Sequence, residues 1–535
     1  HGGHDGVGAG FLHGVLQGRR AIDCRAKGGR MIRVPIRIIG LLVVCSAFVG
    51  CMIGPDYRTP DVDVTEDWLA ATDNRLTAAQ VDNARWWLKF NDPSLTALVE
   101  EASRNNLSVQ IAGLRVFEAR ALLGRVRGSL YPQVQTATAG GAAIKLSENS
   151  ELFSILPGPV ADATDDSFES LGVGIDAAWE IDLWGRFRRG IEAADANLEG
   201  TVATHADVLI MVQGEAARAY VLLRTLQEQL VNAQANVELQ QRSLDIATVR
   251  NRNGLTTELD VQQSLALLRD TQSLIPKLTT AIRRTKNVLS LLIGRPPSEL
   301  VDLVAEQAAI PVAPDSIAVG VPSDLLRRRP DVRSAEMRVA SQSALIGATK
   351  ADMYPAFRLM GSVGYAAQST DDLFESDSLA SVGTFGFVWK FLNYGRLQNK
   401  VRAQDARFQQ AVTGYQLTVL AAAREVEDAL VGYVGAKEQV ALKRDSVNAA
   451  QRAVEIALAQ YRDGETNYTT VLGTQRVQLL QQDALARTRG RVATNLIAAY
   501  KALGGGWTPG TAGEVVPSEV RAEMQARTGW GGLLD

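Results

Sequence analysis

Residues 212–247 decide the fold, and they read VQGEAARAYVLLRTLQEQLVNAQANVELQQRSLDIA. Within this stretch, positions recur at alternating spacings of four and three residues: Val212, Ala216, Ala219, Leu223, Leu226, Leu230, Ala233, Val237, Gln240, Leu244 and Ala247. All of them except Gln240 are apolar. A sustained period of 3.5 residues predicts a left-handed coiled coil rather than an isolated amphipathic helix. The surrounding segment 185–254 contains no Pro, so one helical run there would extend for roughly 100 Å.

This helix is predicted to turn back on itself. Asn253-Gly254 is a turn dipeptide, and a second helical pattern over 257–293 follows it in the opposite direction. The arrangement recurs later, with a helical span over 395–464 and a return over 467–503. Each hairpin is long and unable to bury its apolar stripe alone. A generic core coiled coil would explain the stripe equally well, but it would not explain why the two spans have the same length.

The chain is a duplication. At an offset of 210 residues the matching positions are Gly185-Arg186 and Gly395-Arg396, Asn253-Gly254 and Asp463-Gly464, and Gly294 and Gly504. Upstream the offset becomes 223, where Tyr131-Pro132 matches Tyr354-Pro355. The first copy therefore carries 13 extra residues between its Tyr-Pro and its Gly-Arg. The repeated unit is one supersecondary block of about 180 to 200 residues.

Between Tyr-Pro and Gly-Arg the hydrophobic period changes to two. Apolar residues occupy the odd positions of 171–181, 357–365 and 385–391, and small or polar residues occupy most even positions. Strands of this kind fit a transmembrane β-barrel with a wet lumen, in which Asp176, Glu180 and Asp182 are lumen candidates. These acids could equally lie near the lower rim of the barrel. Acidic loops over 147–167 and 369–379 link the strands. The alternative is a soluble sandwich edge, but four strands are too few to close a barrel or bury two faces alone.

The N-terminal segment predicts export. Residues 31–50 combine Arg33 and Arg37 with a short apolar run and resemble a signal peptide, and the run ends at Cys51. A small residue before Cys resembles a bacterial lipobox, so we expect Cys51 to be the lipidation site. An ordinary signal peptide with an incidental Cys is the alternative. Residues 1–30 are expected to be a non-native or upstream extension, and a cytoplasmic extension is the other possibility.

Composition excludes several function classes. The chain has 535 residues, with 56 Lys and Arg against 59 Asp and Glu, which argues against a broadly basic nucleic-acid binder. Cleavage before Cys51 would leave 49 basic and 57 acidic residues, a net charge of −8. Beyond Cys51 the only His is His205 and there is no further Cys. The sequence therefore predicts no enzyme, no cofactor and no metal site. Catalysis by carboxylates alone stays formally open.

Taken together, these features resemble the TolC-type outer-membrane efflux family, and most closely its lipid-anchored NodT/OprM-like branch serving resistance-nodulation-division (RND) pumps. The resemblance runs from about residue 51 to 505. The segments that carry it are Cys51, residues 54–60 (GPDYRTP), Trp86-Trp87, residues 90–93 (FNDP), residues 130–132 (LYP), residues 182–186 (DLWGR), residues 329–332 (RPDV), residues 353–355 (MYP) and residues 393–396 (NYGR). Their order, spacing and duplication make the set specific.

The resemblance implies an α+β membrane protein. Three chains would form a homotrimer with a 12-stranded outer-membrane β-barrel continued by a long periplasmic coiled-coil α-barrel. The expected function is a passive exit duct for drugs or other small molecules, lipid-anchored in the outer membrane of a Gram-negative bacterium. Expected partners are a periplasmic adaptor (membrane fusion protein), an inner-membrane RND pump and outer membrane lipid.

By resemblance, the hairpin turns form the periplasmic tip where the adaptor docks. The corresponding residues are Asn253, Gly254, Leu255, Thr256, Asp463, Gly464, Glu465 and Thr466. Asp260 and Tyr468 are expected at the aperture, although a solvated surface carboxylate is an equal alternative for Asp260. Thr470 and Gly473 stand where the family often has aspartates, so the sequence leaves a strong carboxylate ring in doubt.

The predicted organisation has seven parts. They are 1–30, the extension; 31–50, the signal peptide; 51–105, the anchor and N-terminal equatorial segment; 106–295, the first repeat; 296–328, an equatorial linker; 329–505, the second repeat; and 506–535, a C-terminal tail. The rival functions are an outer membrane channel for type I protein secretion and a periplasmic adaptor. The lipid-anchor signature argues against the first rival, and the four amphipathic strands argue against the second.

Overall fold

The computed structural model describes most of the chain beyond residue 51. The described residues are 52–65, 67–77, 84–145, 147, 167–300, 302–304, 308–314, 316–320, 328–507 and 516–534. Cys51, the predicted signal segment 31–50, the extension 1–30 and nearly all of the acidic loop 147–167 lie outside them.

Two long helical hairpins dominate the described residues. The helices are α1 (Pro93–Asn105), α2 (Leu107–Gly128), α3 (Arg186–Arg252), α4 (Glu258–Leu292), α5 (Pro330–Ala351), α6 (Arg396–Asp463), α7 (Tyr468–Ala502) and α8 (Ser518–Thr528). Helices α3 and α4 form the first hairpin, and α6 and α7 form the second. The predicted long helices are confirmed, with ends that differ by one or two residues. Within the described residues, no helix is both long and apolar enough to cross a membrane.

The heptad stripe of α3 faces other helices. Ala216 and Leu223 are fully buried, and four stripe positions, Leu226, Leu230, Val237 and Leu244, are only half-buried. Helix α3 packs against α2, α4, α5 and α7, so one chain already covers most of this stripe. The exception in the pattern, Gln240, is also buried, with 1% of its surface exposed.

Each hairpin's returning helix is continued by a short helix. Asn106, at the N-terminal cap of α2, donates from Nδ2 to the carbonyl oxygen of Leu292 at the end of α4, at 2.9 Å. Arg329, which precedes α5, donates from Nη1 to the carbonyl oxygen of Ala502 at the end of α7, at 2.8 Å. These two junctions extend both return helices end to end.

In the part of the chain that the structure describes, the strands form one sheet of four and one of two. They are β1 (Leu76–Thr77), β2 (Val134–Lys145), β3 (Ser167–Ile181), β4 (Ile317–Ala318), β5 (Ala356–Ala367) and β6 (Leu379–Val388). The larger sheet is antiparallel with the order β2-β3-β5-β6, and β1 pairs with β4 in parallel. The predicted strand over 385–391 was placed too late, because pairing begins at Leu379 and ends at Val388. Trp389 and Phe391 continue the alternation of side chains beyond the last paired residue.

The largest apolar core lies where α1 and the segments around it pack on the hairpins. Trp86 stacks on Tyr500 of α7, with ring centroids 5.8 Å apart, and Tyr220 of α3 donates to Asp92 at 2.8 Å. Asp92 also caps α1 by accepting from the Leu95 backbone N–H at 3.0 Å. Helix α8 packs on Phe117 of α2 through Met524. The Trp-Trp motif therefore fastens the N-terminal segment to both hairpins.

Candidate functional site

The two hairpin ends share one backbone geometry. Leu255 donates its backbone N–H to the Arg250 carbonyl at 2.9 Å, and Glu465 donates to the Gln460 carbonyl at 2.8 Å. Gly254 and Gly464 have φ values of +72° and +86°, which a residue with a side chain adopts only under strain. The duplicated turns therefore end both long helices in the same way.

The ends differ in the chemistry that they expose. Leu255 is 64% exposed at the first end, whereas the matching position at the second end holds the exposed carboxylate of Glu465. Asn253 and Asp463 are also exposed. Thr256 is half-buried; its carbonyl accepts from Asn251 Nδ2 at 3.0 Å. Thr466 contacts Thr470 through the two hydroxyl oxygens at 3.2 Å.

A small cluster fastens the two hairpin ends to each other. Its buried members are Ala247, Leu267, Ala457, Tyr461, Tyr468, Val471 and Leu472. The hydroxyl of Tyr468 in the second hairpin donates to Ser264 Oγ in the first at 2.5 Å. Burial in this cluster raises the pKa of Tyr468 to about 12. The phenol therefore stays neutral at physiological pH.

Arg250 adds a second link between the hairpins. Its Nη1 donates to the Arg462 carbonyl at 2.8 Å, and its guanidinium lies 4.9 Å from the centroid of the Tyr461 ring. A cation over an aromatic face, with a charge-assisted hydrogen bond beside it, is a favourable contact across a helix interface. Sequence reasoning missed Arg250, Tyr461 and Ser264. Only the cross-hairpin contact identifies them, since the cation and the aromatic ring lie more than 200 residues apart in sequence.

The predicted aperture residues have different environments. Asp260 is half-buried and accepts a hydrogen bond from the Thr256 hydroxyl. Tyr468 is 1% exposed, so within one chain it presents no surface to an opening and acts through packing. The structure places Tyr468 between the hairpins, and Asp260 of the first hairpin lies close enough that its negative charge adds to the burial that raises the pKa of Tyr461 and Tyr468.

The predicted lumen acids do not share one setting. Asp176 lies within β3 and accepts from the Thr138 hydroxyl at 3.5 Å. Glu180, near the end of the same strand, contacts Arg186 at 2.7 Å and Arg358 at 3.5 Å. Asp182 lies one residue beyond the strand and accepts from the Arg188 backbone N–H at 2.9 Å. Its side chain is 6% exposed, so Asp182 is a residue of the strand-to-helix junction and not of the strand face.

The N-terminal strap, residues 52–65, begins at the same junction. Ile53 donates its N–H to the Trp184 carbonyl at 3.1 Å, and a Cβ added to Gly54 would overlap the Cα of Gly347. Arg189, which is 2% exposed, contacts Asp56 at 2.8 Å and Glu192 at 2.7 Å. The strap then continues along α5, where Tyr57 donates to Glu336 at 3.0 Å. The residue next to Cys51 is therefore fixed at the base of the four-stranded sheet.

Within the described residues, no group of three or more His, Cys, Asp or Glu side chains is placed to hold a metal ion. Burial lowers the pKa of His205.

The family described as "Outer membrane efflux protein" matches residues 98–295 and 321–505. The "Pyoverdine export outer membrane protein OpmQ" of Pseudomonas putida is 30% identical over 472 residues, which cover 88% of this chain and 98% of OpmQ. The "Cation efflux system protein CusC" of Escherichia coli O6:H1 is 27% identical over 473 residues, covering 87% of this chain and 97% of CusC. The structure of the outer-membrane channel OprN superposes with a TM-score of 0.79 at 31% identity, over 86% of this chain and all of OprN.

Proposed function

The chain belongs to the outer membrane efflux protein family, and on that premise we propose that it is the exit duct of a tripartite RND-type system. It is the outer membrane channel of an efflux system and carries out no catalysis. The proposed partners are two further chains of the same kind, a periplasmic adaptor and an inner-membrane pump. The relatives are named for export of pyoverdine and efflux of cations, and we infer small-molecule cargo of this general kind.

One observation supports a trimeric duct: a single chain leaves two sheet edges unpaired and apolar helix side chains exposed. In the four-stranded sheet, β2 and β6 each pair on one side only among the described residues. Helices α2 and α4 carry exposed apolar side chains at Leu107, Ile111 and Leu291, and helix α6 carries them at Leu417, Val431 and Leu442. Closing both edges with two more copies would form the 12-stranded barrel and cover these side chains.

The hairpin ends are the proposed docking site for the adaptor. They expose Leu255 and Glu465 on a shared backbone geometry, so one hairpin end offers an apolar contact and the other a charged one. Directly behind them, Arg250 and the Tyr468–Ser264 hydrogen bond join the two hairpins. We infer that adaptor contact loosens this link, and that the second hairpin then moves away from the first.

A lipid on Cys51 fits the position of the strap. Met52 contacts Gly185, where β3 passes into α3, and a Cβ added to Gly185 would lie 3.1 Å from the Met52 Cα. The strap therefore delivers its N-terminal end to the membrane side of the helices. An acyl chain on Cys51 would then enter the adjacent leaflet without unfolding the strap.

Purified full-length protein in planar bilayers tests this function. We expect a heat-stable trimer of low conductance in the wild type, and an increase in conductance for Arg250→Ala, which removes the link between the hairpins. Arg252→Ala is the matched control, because Arg252 is exposed in the same helical turn. A monomer that does not partition into membranes would overturn the proposal.

A further inference from the structure

The interface between α3 and α7 contains a ladder of buried polar side chains below the main apolar core. Asn236 Nδ2 donates to Gln482 Oε1 at 2.6 Å, and Gln475 Nε2 donates to Ser243 Oγ at 2.6 Å. The two helices run antiparallel, and the bonded pairs lie seven residues apart on each helix. Asn236, Ser243 and Gln475 are each 1% exposed. The two hairpins therefore meet here through amides rather than through an apolar stripe.

The middle rung of this ladder is open. Gln240 and Gln478 each lie three residues from the Ser243–Gln475 pair, so they occupy the level between the two bonded rungs. They are 1% and 9% exposed. Both amide atoms of Gln240 and the Oε1 of Gln478 have no hydrogen-bond partner in the protein, and in the two bonded rungs the acceptor oxygens of Asn236 and Gln475 are also unpaired. An unpaired buried amide weakens the packing of the state that contains it.

In the second hairpin, the lower half of α6 buries mainly apolar side chains. The buried residues of α6 along its lower half include Val447, Ala450 and Val454, all apolar. Apolar seams resist relative sliding, because any shift opens cavities between interlocked side chains. At the level of the polar ladder, the contact between the hairpins is therefore the weaker interface, although apolar clusters join the hairpins above and below it.

The ladder also offers other pairings. Its members stand at 236, 240 and 243 on α3 and at 475, 478 and 482 on α7, with spacings of four and three. If α7 shifts by one helical turn along α3, Gln240 comes to lie opposite Gln482 and Ser243 opposite Gln478. Two hydrogen-bonding pairs are then available again. Amides both donate and accept, so the exchange of partners keeps the number of hydrogen bonds.

We propose that this polar seam is the plane along which the second hairpin moves relative to the first when the channel opens. Because amide atoms of Gln240 and Gln478 are unpaired, the resting arrangement of the two hairpins is only weakly stabilised. The alternative pairs of side chains stabilise the shifted arrangement. This inference rests on the proposed channel function and adds the interface at which the two hairpins move. It lies above the cluster at the hairpin ends, which has to be released first.

The test replaces the open rung with side chains of similar volume that form no such hydrogen bonds. In Gln240→Met/Gln478→Met the seam becomes apolar and loses its alternative rungs. We expect a higher melting temperature and an open probability reduced about tenfold in planar bilayers under an applied voltage, the size that one buried unpaired polar group would give. Gln234→Met/Gln241→Met is the control, because it makes the same change at exposed positions of α3 and should alter open probability less than about twofold.

The second variant is Gln475→Met, which removes one existing rung and guards against misfolding of the double variant. It should raise open probability, because it breaks the Ser243–Gln475 bond of the resting pairing and leaves both alternative rungs intact, with circular dichroism showing retained helix. The inference is overturned, with the channel function left in place, if the double variant leaves open probability unchanged or raises it, or if Gln475→Met leaves it unchanged or lowers it. A wild-type trimer that inserts but never conducts at any voltage overturns the proposed function, and the seam inference falls with it.

Discussion

The two junctions where a return helix meets a short helix have the same backbone and different chemistry. In the first copy a neutral amide, Asn106, satisfies the Leu292 carbonyl, and in the second a guanidinium, Arg329, satisfies the Ala502 carbonyl. Asn106 and Arg329 are related by the offset of 223 residues, and Leu292 and Ala502 by the offset of 210. Gly294 and Gly504 follow the two helix ends, each with φ of +72°.

This difference shows that both copies keep the same helix-end geometry, whereas the residue that pairs with the buried carbonyl differs. A buried carbonyl at a helix end requires a donor, and either an amide or a guanidinium supplies one. The guanidinium brings charge with it, and Arg329 also contacts Asp331 at 2.8 Å and Glu425 at 2.9 Å. Burial opposes its ionisation, but these two carboxylates raise the pKa of Arg329. The second junction is therefore an ionic network, and the first is a neutral cap.

Removing the charge from the second junction should have the largest effect. Arg329→Met leaves the Ala502 carbonyl unpaired and leaves the carboxylates of Asp331 and Glu425 without their cation. Arg329 is buried, but the side chains of Asp331 and Glu425 are 29% and 47% exposed, so water partly solvates them and the expected cost is about 2–3 kcal/mol. We expect a markedly lower melting temperature of the trimer in detergent, measured by circular dichroism. Arg328→Met, at the exposed neighbouring position, is the control and should change little. Equal melting temperatures for the two variants would show that the network is not stabilising.

The paired glycines give the sharpest comparison between the junctions. A Cβ on Gly294 would overlap the Asn105 carbonyl oxygen, whereas a Cβ on Gly504 would lie 3.6 Å from Arg329 at ordinary contact distance. Both substitutions carry the cost of a left-handed residue, about 1–2 kcal/mol, and only Gly294→Ala adds a backbone clash. We expect Gly294→Ala to lower the melting temperature clearly more than Gly504→Ala. Equal losses would mean that the first junction relaxes around the methyl group.

Part of this organisation could be predicted from the sequence. The period of 3.5 residues and the two offsets located both hairpins and both turns, because periodic burial and tight turns leave local signals. The junctions escaped prediction, since Asn106 and Leu292 lie far apart in sequence and Asn106 and Arg329 share no chemical type. The strand over 385–391 was misplaced because alternation continues through Trp389 and Phe391 after hydrogen bonding stops.

The candidate site, too, could be predicted where it has a local sequence signal and not where it depends on contacts between distant residues. The turn residues from Asn253 to Thr256 and from Asp463 to Thr466 were found from their local pattern, and whether they dock an adaptor stays a prediction. The seam was visible only as an imperfection, the single polar residue Gln240 in an apolar stripe. Its partner, Gln478, depends on the register of two helices from different copies, which no local pattern encodes.

The neutral junction should respond more mildly than the charged one. Asn106 also caps α2 by accepting from the N–H groups of Ser108 at 2.8 Å and Val109 at 3.2 Å. Asn106→Ala removes the cap and the donor to Leu292, with an expected cost of about 1–2 kcal/mol. Asn106→Ser keeps a capping oxygen but has no amide N–H for the Leu292 carbonyl, so its melting temperature should fall between those of the wild type and the Ala variant. A Ser variant as stable as the wild type would show that the bond to Leu292 contributes nothing.

The smallest expected effect concerns an acid at the edge of the charged junction. Burial, followed by the negative charge of Asp331, raises the pKa of Asp207, and the nearby cations of Arg329 and Lys501 only partly oppose this shift, while Glu425 adds to it. Because the folded pKa lies above the unfolded value, the ionised carboxylate destabilises the fold at pH 7, and this penalty disappears as the pH falls to the unfolded pKa of about 3.9.

Asp207→Asn should therefore raise the melting temperature slightly at pH 7, and the gain should shrink as the pH is lowered toward 4. In the Arg329→Met background the gain at pH 7 should be larger, because Asp207 then faces Asp331 and Glu425 with one cation fewer. Melting curves of the four chains between pH 4 and pH 8 measure this coupling. If Asp207→Asn lowers the melting temperature at pH 7 and the loss vanishes without Arg329, then Asp207 is a favourable partner of the guanidinium. The second junction would then be an ionic network that ionised Asp207 stabilises, and it would differ from the neutral first junction in every charged contact.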